Sequence, residues 1–246
     1  MDGPETGDAF GALLQAGLQD RAATGVIERD DGLVTPHAAA GYFTAVDEWP
    51  ALERTACERA SGRVLDLGSG AGRHALHLQK RGVDVVALDP SPGACAVARA
   101  QGVRDVREAG IEDVAKLGER FDTFLLLGNN LGLLGSREAA PRLLAGLAAS
   151  AAPGARILGA NLDPSGSPDA DHAAYQQCNK DAGRLAGQLR LRVRYRRLAD
   201  AWFDYLLCSP AELGELVAES PWQLAHVEED GAGYLAELRM RDRSTT

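Results

Sequence analysis

"VLDLGSGAGRHALHL", residues 64–78, places glycine at every second position, Gly68, Gly70 and Gly72, between an apolar run and a helix-like run. Glycine costs backbone entropy. A chain keeps it where φ must be positive or where another group comes very close to the backbone. Residues 64–67 read as a strand and 73–81 as a helix, so the glycines make the turn between them.

Downstream the same rhythm continues. Residues 83–88 read as a second strand. Ser91 can N-cap the next helix, with Pro92 at its first position and Gly102 past its end. A short third strand follows at 103–107. "FDTFLLLG", residues 121–128, is apolar on both faces, as suits the middle of a parallel sheet. A helix over 140–151 stops at Pro153-Gly154, and "ARILGANL", residues 155–162, is a fifth strand.

Upstream, Phe10, Leu13, Leu14 and Leu18 fall at helical spacing within 8–21. "VIERDDGLV", residues 26–34, predicts a hairpin turning at Asp31-Gly32. "TPHAAAGYFTAV" (35–46) and "PALERTACERA" (50–60) read as helices. After the fifth strand, residues 163–184 are polar, part loop and part helix. "GQLRLRVRYRR" (187–197) then alternates, with Leu189, Leu191, Val193 and Tyr195 on one face and four arginines on the other. The apolar face is expected to pack inward and the arginine face to be solvated beside acids. "AWFDYLLC" (201–208) predicts its partner strand. Ser209-Pro210-Ala211-Glu212 has capping-box spacing. "WQLAHVEED" and "YLAELRMR" close the chain as two strands.

The bulk properties narrow the partners. The chain has 246 residues, 45% hydrophobic and 25% charged, with a net charge of -9. An acidic balance argues against phosphate-backbone binding, so no nucleic-acid partner is expected. No apolar run approaches a membrane span, so no membrane partner is expected. Cys57, Cys95, Cys178 and Cys208 are dispersed, without zinc spacing. No metal is expected, and the thiols read as reduced ones in a cytoplasmic protein. The opening "MDGPETGDAF" shows neither the basic nor the apolar stretch of a signal peptide.

Strands alternating with helices imply a parallel sheet, which takes ligands outside the carboxyl ends of its strands. A dinucleotide fingerprint, G-x-G-x-x-G, would put its third glycine at Arg73, so a nicotinamide cofactor is disfavoured. The chain instead reads Asp66-x-Gly68-x-Gly70-x-Gly72. "VVALDP" sets Asp89 at the end of the second strand, where a carboxylate can accept both ribose hydroxyls of a nucleoside.

These residues resemble the class I S-adenosylmethionine-dependent methyltransferases, in particular those that tailor small molecules. "VLDLGSGAG" matches the family's first motif and "VVALDPSP" its second. "EAGIEDV" falls at its adenine-contacting loop, and "FDTFLLLGNN" at its fourth strand. The resemblance is closest over 63–163. It implies an α/β fold: a Rossmann-like αβα sandwich on a mainly parallel seven-stranded sheet with an antiparallel C-terminal strand, plus an acceptor-side insertion. The expected organisation is one domain over 1–246. It comprises an N-terminal helical cap (1–60), a cofactor core (61–163), an insertion or lid (164–208), and a C-terminal helix with edge strands (209–246).

The implied cofactor is S-adenosyl-L-methionine, with S-adenosyl-L-homocysteine as product. Gly68, Ser69 and Gly70 would pass under its methionine part. Asp66 would fix the loop or reach the ammonium, and Arg73 would pair with the carboxylate. Asp89 would hold the ribose, beside Pro90. Gly110, Ile111 and Glu112 would meet the adenine, although the family commonly has an acid where this chain has Gly110. Asn129 and Tyr42 would line the pocket. The expected reaction moves a methyl group to a small-molecule acceptor, a secondary metabolite, in a monomer or homodimer. The [DN]-P-P-[YF] pattern of nucleobase and glutamine methyltransferases is absent. The catalytic residue stays unassigned, with His172, Tyr175, Asn130 and His37 as candidates. Two alternatives stay open: a non-methylating use of the same cofactor, such as cyclisation or rearrangement, and a cofactor-binding module without catalysis.

Overall fold

Strands that are apolar on both faces need cover on both sides, and the chain supplies it in three layers. The computed structural model describes residues 3–166 and 169–241. In chain order it holds β1 (Glu5–Thr6), α1 (Ala9–Gln19), β2 (Thr24–Arg29), β3 (Val34–Ala38), α2 (Ala51–Arg59), β4 (Arg63–Leu67), α3 (Arg73–Lys80), β5 (Asp84–Asp89), α4 (Pro92–Ala100), β6 (Val106–Glu108), β7 (Phe121–Leu126), α5 (Ala140–Ala149) and β8 (Ala151–Leu162). There follow α6 (Ala170–Asp181), β9 (Gln188–Tyr195), β10 (Leu198–Ala199), β11 (Phe203–Leu206), α7 (Pro210–Ala218), β12 (Trp222–Asp230) and β13 (Gly233–Met240).

Seven strands form the main sheet in the order β12-β13-β8-β7-β4-β5-β6. All pairs among β4 to β8 are parallel, and β13 runs antiparallel to both its neighbours. This is the sandwich expected from the resemblance. Alternation along the strands feeds two cores. Leu65, Leu67, Phe121 and Phe124 pack with α5, α7 and Trp222 on one face. Val64, Leu125, Leu158 and Leu235 pack with α2, α3 and α4 on the other. The helix ends follow local chemistry: the Ser91 side chain accepts from Ala94 N–H with Pro92 behind it, and Ser209 and Glu212 complete a capping box.

A second sheet carries the rest. Its order is β1-β10-β9-β2-β3, with β11 also paired to β9. The two ends of its sequence meet in one register: Ile27 lies opposite Val193 and Arg29 opposite Leu191. The hairpin at Asp31-Gly32 forms as predicted, with β2 and β3 antiparallel.

Three expectations are corrected. Residues 35–46 are not a helix: β3 runs to Ala38, and a short 3-10 turn covers Ala39–Phe43. The hairpin draws Thr35 and His37 into register with Ile27 and Gly25, and Pro36, lacking an N–H, is tolerated because β3 is an edge strand. The N-terminal cap is therefore helix, hairpin and helix, with a strand and a 3-10 turn where a further helix was expected. The fifth main strand begins at Ala151 rather than after Pro153-Gly154, because Ala151 pairs with Phe121. The third strand is shorter than expected and covers only Val106–Glu108. Within the insertion, residues 167 and 168 lie outside the described residues.

Candidate functional site

The glycines of the opening stretch all sit at positive φ: Gly68 at 67°, Gly70 at 54° and Gly72 at 80°. That conformation strains any residue with a Cβ. The space is also taken. A Cβ on Gly68 would lie 2.6 Å from Asn130 Nδ2, and one on Gly70 3.1 Å from the Tyr42 ring. The loop hangs from the neighbouring strand, with Gly68 N–H and Ser69 N–H both donating to Leu88 O. Asn130 holds its other side, donating to Leu67 O and Gly68 O at 3.1 and 2.8 Å. Asn129, at φ 69°, turns the chain there, and its carbonyl accepts the Tyr205 hydroxyl at 2.6 Å.

Asp89 stands at the carboxyl end of β5 and is only 4% exposed. One oxygen accepts Gly70 N–H at 2.8 Å, and the other accepts Ser91 N–H at 2.9 Å. It thus joins the first and second loops, and each oxygen keeps a lone pair for another donor. Burial pushes its carboxyl up to about 6, against the pull of the Ser91 and Gly70 N–H groups; Asp8 and Asp66 push the same way as burial. Asp66 is buried beneath α3, and burial raises it too. Asp66 Oδ2 and Ser69 Oγ are buried without a hydrogen-bond partner. Unpaired buried polar atoms beside a positive-φ cradle fit a cofactor with polar substituents.

The remaining expected residues fall in three places. Arg73 pairs with Glu53 at 2.6 Å and lies over the Trp49 ring. His74 shares that carboxylate at 2.9 Å. Burial raises Glu53, but the hydrogen bond from His74 and the Arg73 guanidinium outweigh it and leave it below its ordinary value. Gly110 opens the turn Ile111–Leu117, and the Glu112 carboxylate folds back to within 2.4 Å of where its Cβ would be. Pro90 is exposed at the same edge.

Tyr42 covers the glycine loop, edge-to-face with Phe10 at 5.3 Å. Its hydroxyl meets His37 Nε2 at 2.8 Å. Tyr175 and His172 lie elsewhere, on α6. The Tyr175 hydroxyl donates to Asp30 at 2.7 Å and its ring carries the Arg29 guanidinium at 4.1 Å, so it fastens α6 to the hairpin. The structure thus brings His37, Tyr42 and Asn130 to the loop and leaves His172 and Tyr175 at the far end of the second sheet.

Sequence reasoning missed three participants. Asp8 caps α1 through Gly11 N–H and also accepts Ser91 Oγ–H and Gly93 N–H at 2.7 Å each, beside Asp89. Glu53 holds Arg73. Tyr205 joins β11 to the end of β7. Only the capping position of Asp8 has a local signal; the other contacts cross long stretches of chain.

A family model described as a methyltransferase domain matches residues 64–154. A methyltransferase structure from Bacteroides fragilis, in complex with S-adenosyl-L-homocysteine, is 27% identical; the match covers 95% of this chain and 94% of that one with a TM-score of 0.81. The ubiquinone biosynthesis O-methyltransferase of Azorhizobium caulinodans is 43% identical over 70 residues, 26% of this chain. The glycine/sarcosine N-methyltransferase of Aphanothece halophytica is 29% identical over 133 residues, 52% of this chain. These matches span 28% and 48% of the two curated relatives.

Proposed function

We propose that this chain, which belongs to the class I S-adenosylmethionine-dependent methyltransferases, binds that cofactor at the Asp89 edge and moves its methyl group to a small-molecule acceptor. The single observation that carries the reading is the Asp89 carboxylate. It is buried, it ties the two cofactor loops together, and it keeps one lone pair per oxygen for the two ribose hydroxyls.

The sulfonium supplies an activated methyl group, so the protein's task is to position the acceptor and remove its proton. Gly68 and Gly70 let the backbone pass beneath the methionine part. Asp66 and Ser69 offer it unpaired polar atoms. Arg73 can turn from Glu53 to a carboxylate. Ile111 and Glu112 stand at the adenine end. The acceptor fits between this edge and the second sheet. The names of the two curated relatives, an O- and an N-methyltransferase acting in small-molecule chemistry, support that substrate class. A role in secondary metabolism and a cytoplasmic location complete the reading. Among the described residues no helix is long and apolar enough to cross a membrane.

Calorimetric titration tests this. S-adenosyl-L-homocysteine should bind, a nicotinamide dinucleotide should not, and Asp89→Ala should cost about ten- to a hundredfold in affinity, the worth of one charge-assisted hydrogen bond or more. Unchanged binding by the variant would sink the assignment.

A further inference from the structure

The second sheet turns one face to the carboxyl edge of the main sheet. Register places His37 across from Gly25, Val193 across from Ile27, and Phe203 and Tyr205 across from Leu191 and Leu189. The arginines take the opposite face, where Arg192 and Arg194 reach Glu28 at 2.9 and 3.2 Å. Tyr205 fastens the inward face to the end of β7 through Asn129 O. Tyr42 stands over Gly70, and its hydroxyl meets His37 Nε2 at 2.8 Å. A histidine and a tyrosine from the N-terminal segment are therefore hydrogen-bonded to each other beside the loop that would carry the methyl donor.

We propose that His37 and Tyr42 form a relay that takes the proton from the hydroxyl of an aromatic acceptor held against this face. The proposal rests on the methyltransferase reading and names its acceptor class. Tyr42 does not serve as the base alone. Burial pushes its phenol well above the ordinary value, the Asp89 carboxylate adds to the rise, and Arg73 opposes it. Tyr205 is the other titratable group beside it. His37 supplies the missing sink. Burial pushes its imidazole below the ordinary 6.5, so it is neutral at physiological pH. The relay uses the tautomer with the proton on Nδ1, which leaves Nε2 to accept the Tyr42 hydroxyl. A neutral imidazole matches a phenol better than an alcohol, because proton transfer is efficient when the two pKa values lie close. The rings of Phe10, Tyr42, Phe203 and Tyr205 favour a flat aromatic partner.

The step balances without another reactant. The acceptor oxygen bonds to the methyl carbon as the carbon–sulfur bond breaks, and the sulfur keeps that electron pair and becomes neutral. The acceptor proton passes to Tyr42 Oη as the Tyr42 proton passes to His37 Nε2. The imidazolium then releases its proton to solvent.

The test uses 4-nitrocatechol, whose visible spectrum reports its ionisation, titrated into the full chain with S-adenosyl-L-homocysteine. The dye should bind saturably and show its ionised band at a pH where the unbound dye is mostly protonated. His37→Gln keeps an acceptor for the Tyr42 hydroxyl but takes no proton; Tyr42→Phe keeps the ring. Both variants should bind the dye and lose the band. Methyl transfer to the dye should fall about a hundredfold or more in His37→Gln. Absence of saturable binding, or an intact band in both variants, would overturn the relay. Calorimetry with S-adenosyl-L-homocysteine on the same samples separates the two readings. If it binds while the dye test fails, only the relay falls; if it does not bind, the methyltransferase reading falls as well.

Discussion

Asp89 carries opposite demands. Burial raises its carboxyl to about 6, yet accepting two hydroxyl donors requires the ionised form. Cofactor affinity should therefore hold above pH 6 and weaken as pH falls through that value, by up to about tenfold per unit for one linked proton. Asp89→Asn should bind more weakly at pH 8 and show a flatter profile; a profile as steep as the wild type's would assign the linkage to another group. Stability follows the other sign. The folded state holds the Asp89 proton more tightly than the unfolded chain, so ionising it costs stability as pH rises from the ordinary carboxylate range through about 6. Asn130 is a second residue whose effect is local. Its two bonds to Leu67 O and Gly68 O shape the loop. Asn130→Ala should cost about 1–3 kcal/mol of stability by leaving those carbonyls unpaired, read as a lowered urea midpoint.

At the scale of elements, α1 is set by one carboxylate. Asp8 caps α1 and binds the N-terminal turn of α4 through Ser91 and Gly93. The two helices cross closely: a Cβ on Gly93 would lie 2.6 Å from Gly11 Cα. Asp8→Ala removes three hydrogen bonds at once and should cost about 1–3 kcal/mol. Amides of 9–19 should exchange faster in hydrogen-exchange mass spectrometry, while those of β7 and β8 stay protected. Equal loss across the chain would mean that α1 is no separate opening unit. The insertion behaves as an element of the same kind. Tyr175 and Arg29 bind α6 to the hairpin, and Tyr175 and Asn179 are the two residues that this otherwise largely exposed helix buries.

At the scale of the whole molecule, the second sheet joins β2 and β9, whose ion pair at Glu28 and Arg192 spans 164 residues of sequence. Such contacts form only after a long loop has closed. Glu28 is held below its ordinary 4.5, first by its hydrogen bond from Arg192, against a smaller burial effect. Its contribution is therefore full above that value and lost as pH falls through the depressed one. Glu28→Gln should lower stability by about 1 kcal/mol at pH 7, since the pairs are partly exposed, and the difference should shrink at pH 3. Arg192→Gln and Arg194→Gln should leave the acceptor KM unchanged, because these arginines point away from the edge. A tenfold rise in KM with intact cofactor affinity would reverse the two faces.

What the sequence by itself determined is what repeats locally. The alternation of strand and helix, the three glycines, the caps at Ser91 and Ser209, and the acid at the end of β5 are each legible within a few residues, because φ limits, capping and periodicity act at short range. The alternation along β9 put the arginines beside an acid, Glu28, as read, but Arg192 and Arg194 are half-buried rather than solvated, and only Val193 of the apolar face is fully buried. The structure of 35–46 lay beyond such reading. Thr-Pro followed by alanines has helical character, and a strand forms over its first residues because the Asp31-Gly32 turn brings them into register with β2. The setting of Asp8, Glu53 and Tyr205 was likewise decided only in three dimensions. Each is an ordinary polar residue whose partner lies many residues away, and nothing in its local pattern records which buried donor or acceptor the folded chain will bring beside it.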